Sequence, residues 1–218
     1  MKKNRFPRLL SALTVLAFAL PAASAPSAAL AQPVDEAVLA VEKHYQELAE
    51  LTAKVTQKNL LKAFGKTQVF EGTLWIKKPG KLRLAYTNGQ LIVIDGKAAL
   101  FYSKKSAQVI KKTFTDFEHM NIPVAFLLGA AHIRDDFDAR RSDPAVPRLF
   151  ELIPKKIGAA MQKLQLLSDD SGRIVKLTIF DRSGNETELV FSDAREDAGI
   201  DDQLFAFKPP KGTEIIEQ

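Results

Sequence analysis

The chain has 218 residues, no cysteine, and 31 Lys and Arg against 26 Asp and Glu, a formal net charge of +5. That length suits one domain with a sizeable core. The lack of cysteine excludes a disulfide framework, a thiolate metal site and an acyl anchor on an N-terminal cysteine.

Lys2, Lys3, Arg5 and Arg8 precede an apolar run from Leu9 to about Ala23, and small residues lead to Ala29-Leu30-Ala31. This is the pattern of a secretory signal peptide, with cleavage expected after Ala31. The domain proper is then residues 32–218. Cleavage also changes the charge: four of the 31 cations leave with the leader, so 27 face 26 acidic residues and the net charge is +1. A strongly basic surface for nucleic acid is thereby excluded. The expected product is an unanchored protein of a secretory compartment, which in a bacterium with two membranes is the periplasm.

From Val34 to Leu51, apolar residues at Val34, Val38, Val41, Tyr45 and Leu48 share one helical face, which predicts an amphipathic helix. From Thr52 the period becomes two. Extended runs are expected at about 52–60, 67–77, 81–87, 90–95, 98–103 and 108–114, separated by Pro79-Gly80, Asn88-Gly89 and Asp95-Gly96. A short apolar helix is expected over Ile122–Gly129, bounded by Pro123 and Gly129. A polar stretch containing Asp135-Asp136 and Arg140-Arg141 reads as a solvated loop. Strands resume at about 148–154, 162–168, 173–181 and 186–192, and Leu204 to Pro210 reads as a last strand closed by prolines. The resulting fold class is α+β: a half-open antiparallel β-barrel, a curved sheet of about ten or eleven strands, with helices covering its concave apolar face.

Catalytic signals are absent from the sequence. His44, His119 and His132 have no histidine or cysteine partner at a metal-binding spacing. Asp135, Asp136 and Asp138 lack the glycine and terminal glutamate of a calcium loop. There is no Gly-x-Ser-x-Gly elbow and no phosphate loop, so neither an enzyme, a metal site nor a cofactor is expected. The distinctive signal is apolar. Trp75, Leu82, Leu84, Leu91, Ile92, Val93, Ile94, Leu100 and Phe101, then Phe180, Leu189 and Phe191, fall on strands, while Val124, Phe126, Leu127 and Leu128 fall on the middle helix. Periodicity alone leaves a filled core and a ligand cavity equally open.

Val55-Thr56-Gln57, Phe70-x-Gly72-x-Leu74-Trp75-x-Lys77-Lys78-Pro79-Gly80-Lys81-Leu82-Arg83, Ile94-Asp95-Gly96-Lys97 and Phe101-Tyr102 follow in order. They continue in Ile122-Pro123, Asp181-x-x-Gly184-Asn185-x-Thr187 and Phe205-x-Phe207-x-Pro209-Pro210-x-Gly212. This set resembles the periplasmic outer-membrane lipoprotein carriers, the LolA family. The resemblance implies a carrier that shields lipoprotein acyl chains in an apolar cavity and ferries them from the inner to the outer membrane. Its partners would be acylated lipoproteins, an inner-membrane ATP-driven release complex and an outer-membrane lipoprotein acceptor, and the carrier would act as a monomer.

Under that resemblance the acyl-chain cavity comprises Leu74, Trp75, Leu82, Leu84, Ile92, Ile94, Phe101, Val124, Leu127 and Leu128. Lys78 and Arg83 are assigned to a lid, gate or partner contact. Lys78 stands where the family commonly has arginine, and lysine lacks the planar five-donor fork. The alternatives are a carrier of another lipid or glycolipid, or a periplasmic lipoprotein-sensing module with the same fold.

Overall fold

A computed structural model of the protein describes residues 34–114, 127–128, 133–155 and 161–217. The leader expected over residues 1–31, and His119, Val124 and most of the expected 122–129 helix, lie outside the described residues.

Helix α1, Val34–Glu47, buries Ala37, Val38, Val41 and Tyr45, which recur at helical spacing. It ends earlier than its apolar pattern suggests. Leu51, Ala53 and Val55 are buried in a two-residue period, and the chain is already extended from Glu50.

Twelve strands form one open, curved sheet. They are β1 Glu50–Leu61, β2 Lys66–Lys77, β3 Lys81–Tyr86, β4 Gln90–Asp95, β5 Ala98–Ser103, β6 Gln108–Thr113, β7 Phe137–Arg141, β8 Leu149–Pro154, β9 Met161–Ser168, β10 Ile174–Asp181, β11 Glu186–Glu196 and β12 Glu214–Glu217. Their spatial order is β12-β6-β5-β4-β3-β2-β1-β11-β10-β9-β8-β7. Two meanders therefore meet where β1 pairs with β11, and that pairing joins residues far apart in sequence, such as Val55 with Phe191. A single helical turn, α2, covers Ile133–Asp136.

Three expectations are corrected. Arg140-Arg141 belong to β7, an edge strand whose Phe137 is buried while its other positions are largely charged; charges along an edge discourage pairing with another chain, and they also mask the strand pattern. Leu204 to Pro210 is not a strand. Asp202–Phe205 form a 3₁₀ turn capped by Asp201, whose Oδ1 accepts from the Gln203 amide at 2.9 Å. The last strand is instead β12, and it pairs in parallel with β6.

The core lies between the concave face of the sheet and the helices. It joins α1, Leu127, Leu128 and Ile133 to inward residues including Leu74, Ile76, Ile94, Phe150, Leu152, Leu164 and Leu177. Polar bonds fasten α1 to this surface. The Tyr45 hydroxyl accepts from the Ile174 amide at 3.2 Å, and burial raises its pKa. Buried Glu42 accepts from the Arg134 amide and Nε, both at 3.1 Å, tying α1 to α2.

The turn between β9 and β10 lies equally close to α1. Gly172 has φ +86°, and a Cβ there would stand 2.5 Å from the Ala40 carbonyl oxygen. Gly172→Ala combines a left-handed backbone with a clash against helix backbone. It is expected to lower stability by roughly 2 kcal/mol in urea unfolding and to raise amide exchange in α1.

Candidate ligand cavity

Two-residue alternation sets the face each strand residue takes. Cross-strand partners share a face, so Leu74 with Leu84, Leu84 with Ile92, and Ile92 with Phe101 build one continuous concave surface. On the other flank Val55 is paired with Phe191, and Gln57 with Leu189. These walls, with Leu127 from the helical side, enclose a cavity of about 560 Å³. That size falls among small-molecule sites, which run from ~300 to ~1,000 Å³.

The cavity is polarised along the strands. Its apolar part is built by residues including Leu74, Leu82, Leu84 and Phe101. Toward the C-terminal ends of β1, β3 and β5 and the N-terminal ends of β2, β4 and β11, the lining becomes Gln57, Asn59, Gln68, Tyr86, Gln90, Ser103 and Thr187. The Tyr86 hydroxyl donates to Gln57 Oε1, and Gln57 Nε2 donates to Asn59 Oδ1 at 2.9 Å. Burial pushes the Tyr86 phenol up to about 12, so it stays neutral across ordinary pH. None of the described lining residues carries a charge at neutral pH.

At the opposite end the β2–β3 hairpin carries Lys77, Lys78 and Lys81, with Arg83 close behind. Lys78 Nζ donates to the carbonyl oxygens of Tyr45 and of Gln46, the latter at 3.1 Å. It thus places a cation at the C-terminal, partly negative end of α1. Lys77 Nζ lies 3.1 Å from both Glu50 and Asp202 and donates to the Ile200 carbonyl at 2.6 Å. Lys81 reaches Asp202 at 3.0 Å. Arg83 Nη1 donates to the Leu204 carbonyl at 3.0 Å.

Of the residues assigned to the cavity from sequence, Leu74, Leu82, Leu84, Ile92, Phe101 and Leu127 line it. Ile94 and Leu128 are buried in the adjoining core rather than in the lining. Trp75 does not line it. It is paired with Arg83 between inward-facing Leu74 and Ile76, so the strand period sends both side chains to the convex face. Arg83 accordingly holds the C-terminal segment and not α1, whereas Lys78 does bind α1. The polar part of the lining was not anticipated. Its signal was available, since Gln57 and Asn59 continue the period of Leu51, Ala53 and Val55.

Residues 46–208 match the family described as Outer membrane lipoprotein carrier protein LolA. The chain belongs to this family. An outer-membrane lipoprotein carrier protein of Chromobacterium violaceum is 30% identical over 207 residues, covering 91% of this chain and 97% of that protein. Another, of Nitrosomonas europaea, is 28% identical over 183 residues, covering 83% and 88%. An uncharacterized conserved protein from Thermus thermophilus shares the fold with a TM-score of 0.52 at 12% identity, over 86% of this chain and 100% of that one.

Within this LolA-family chain the basic turn is satisfied internally by α1, by the start of β1 and by the 3₁₀ turn. The Lys81 and Lys77 ammonium groups hold the Asp202 carboxyl below its usual range, and the Ile200 amide and then Lys77 do the same for Glu50. Asp202 and then Glu50 raise Lys77. Depressed carboxylates contribute above their unfolded pKa and lose that contribution as pH falls through the folded value; a raised lysine loses its contribution as pH climbs past its own. The C-terminal clamp is therefore strongest between about pH 4 and pH 10. Methyl NMR signals of Ile200 and Leu204 should hold steady in that window and shift together outside it.

Lys78→Ala should loosen α1 alone. Hydrogen exchange should rise in residues 34–47, with a loss of about 1 kcal/mol in stability, while Lys78→Arg keeps most of the protection.

Proposed function

We propose that this LolA-family protein is a periplasmic carrier that takes up the acyl chains of lipoproteins released from the inner membrane and delivers them to the outer membrane. The observation that carries this reading is the uncharged, largely aliphatic cavity between the curved sheet and the helices, in a chain whose relatives are named outer-membrane lipoprotein carrier proteins. The partners are an ATP-driven release complex on one side and a lipoprotein acceptor on the other, with the carrier acting as a monomer after removal of its leader. The relatives are named for carrying, and the described lining residues, all uncharged, offer no paired acid and base or activated nucleophile for a reaction.

The physical need is large. Each methylene exposed to water costs ~0.8 kcal/mol, so cargo with several acyl chains cannot cross an aqueous compartment unshielded. Dispersion contacts along Leu74, Leu82, Leu84 and Phe101 offer burial without any directional bond to break on release. Transfer onward then needs only an acceptor that binds the same chains more tightly.

Purified mature protein should bind an apolar fluorescent probe, and a triacylated lipopeptide should displace it. Leu84→Arg places a cation within the aliphatic lining and should weaken probe binding by at least ~10-fold while cooperative unfolding is retained. Probe binding that the lipopeptide does not displace would overturn the cargo assignment.

A further inference from the structure

The polar part of the cavity lining forms a directed chain of hydrogen bonds. Tyr86 O–H is spent on Gln57 Oε1, and Gln57 Nε2 is spent on Asn59 Oδ1. Asn59 is half-buried, and its Nδ2 donates to no described residue. An amide at the end of such a chain is polarised by the bonds behind it and presents an available donor to the cavity. Gln68 and Thr187 flank it as its cross-strand partners on β2 and β11, and Gln90 and Ser103 stand opposite each other on β4 and β5. Donors and acceptors alternate here without a formal charge.

A lining of this composition discriminates by charge. A carboxylate or phosphate entering it would lose water without gaining a cation from the described lining, whereas an ester or amide carbonyl would exchange one water hydrogen bond for one to Asn59. The described cations at this end, Lys58, Lys62, Lys66, Lys104, Lys105 and Arg182, are exposed and lie outside the lining. Lys62 instead runs along Gly184, where its Cδ stands 2.8 Å from the position of an added Cβ.

We propose that the carboxamide lining around Asn59 recognises the neutral ester and amide carbonyls at which acyl chains are attached, so that the protein selects uncharged acyl esters and amides over acyl chains ending in an anion. This rests on the carrier reading and adds to it a chemical criterion for the cargo. Hydrophobic length sets how much an acyl chain gains on entry, while the carboxamides set which linkage follows it in. Free fatty acids and anionic lysophospholipids are thereby disfavoured as competitors.

The test uses the mature chain with bound N-phenyl-1-naphthylamine as an uncharged probe, displaced by monolaurin, by N-lauroylglycinamide and by laurate. At about pH 8 laurate is ionised, being far above the carboxylate range of ~4. The ester and the amide should displace the probe at concentrations at least ~10-fold lower than laurate. Asn59→Leu should shrink that advantage to less than ~3-fold, each displacement being read against that variant's own probe affinity, and Asn59→Gln should restore most of it. Gln68→Lys, at an exposed position, should improve laurate selectively.

Equal displacement by all three ligands, or a preference for laurate drawn by the exterior lysines, would overturn the linkage criterion. In either case a triacylated lipopeptide that still displaces the probe leaves the carrier reading standing. If neither these ligands nor the lipopeptide displace the probe, both readings fall.

Discussion

The fold depends on how the charge of one hairpin is discharged. Lys77, Lys78, Lys81 and Arg83 stand within seven positions of each other, and left to solvent they would repel. Between them they bind three separate pieces of chain: Lys78 the last carbonyls of α1, Lys77 Glu50 at the start of β1, and Lys77, Lys81 and Arg83 the C-terminal segment through Asp202 and the Leu204 carbonyl. Exposed ion pairs taken singly contribute little. What matters here is that they converge, because α1, the start of β1 and the C-terminal segment are remote in sequence and meet at a single turn. The turn fixes α1 on the concave side and the 3₁₀ segment on the convex side.

That division follows from strand alternation. Within Leu74–Lys77 and Lys81–Leu84, even-numbered leucines and isoleucine turn inward and Trp75 and Arg83 turn outward, so one hairpin builds the cavity wall and the outer clamp at once. The outer face is covered as well: Val93, in register with Arg83, is almost fully buried, and the 3₁₀ turn lies against β3 and β4. The sheet is thus covered on both faces at its lysine end. At the far end β1 and β2 run on as an overhanging hairpin whose Phe64 and Val69 are exposed, beyond the last residues that β3 pairs.

Much of this was legible in the sequence, and the failures have physical causes. The period-two runs between Lys66 and Thr113 have glycine turns at Gly80, Gly89 and Gly96, and local signals of that kind survive in one dimension. Edge strands β7 and β12 carry the charges that protect edges, and those charges hide them. Leu204-Phe205-Ala206-Phe207 has strand-like composition, yet Phe205 is buried from a 3₁₀ turn and Phe207 meets the Tyr102 ring at 5.2 Å. Tertiary packing decides such segments, and local propensity does not. Family resemblance pointed to Leu74 and Leu84 together with Trp75 and Arg83, but alternation separates the two pairs. The polar lining escaped because Gln57 and Asn59, read singly, are ordinary residues of a half-exposed strand.

On the proposed carrier reading, binding and release place opposite demands on this cavity. A lining with ion pairs or many directional bonds to the cargo would hold it in a deep well, and the cargo would need energy to leave. Here the apolar wall would grip in proportion to chain length, and the described polar groups are neutral carboxamides and hydroxyls whose bonds water can replace at little cost. The ion pairs and hydrogen bonds of the β2–β3 hairpin lie at the other end, where they hold α1 and the C-terminal segment to the sheet. A ligand exchanged at the polar end would leave that scaffold intact. Stability and ligand exchange would then rest on different ends of the same strands, so neither has to be weakened for the other.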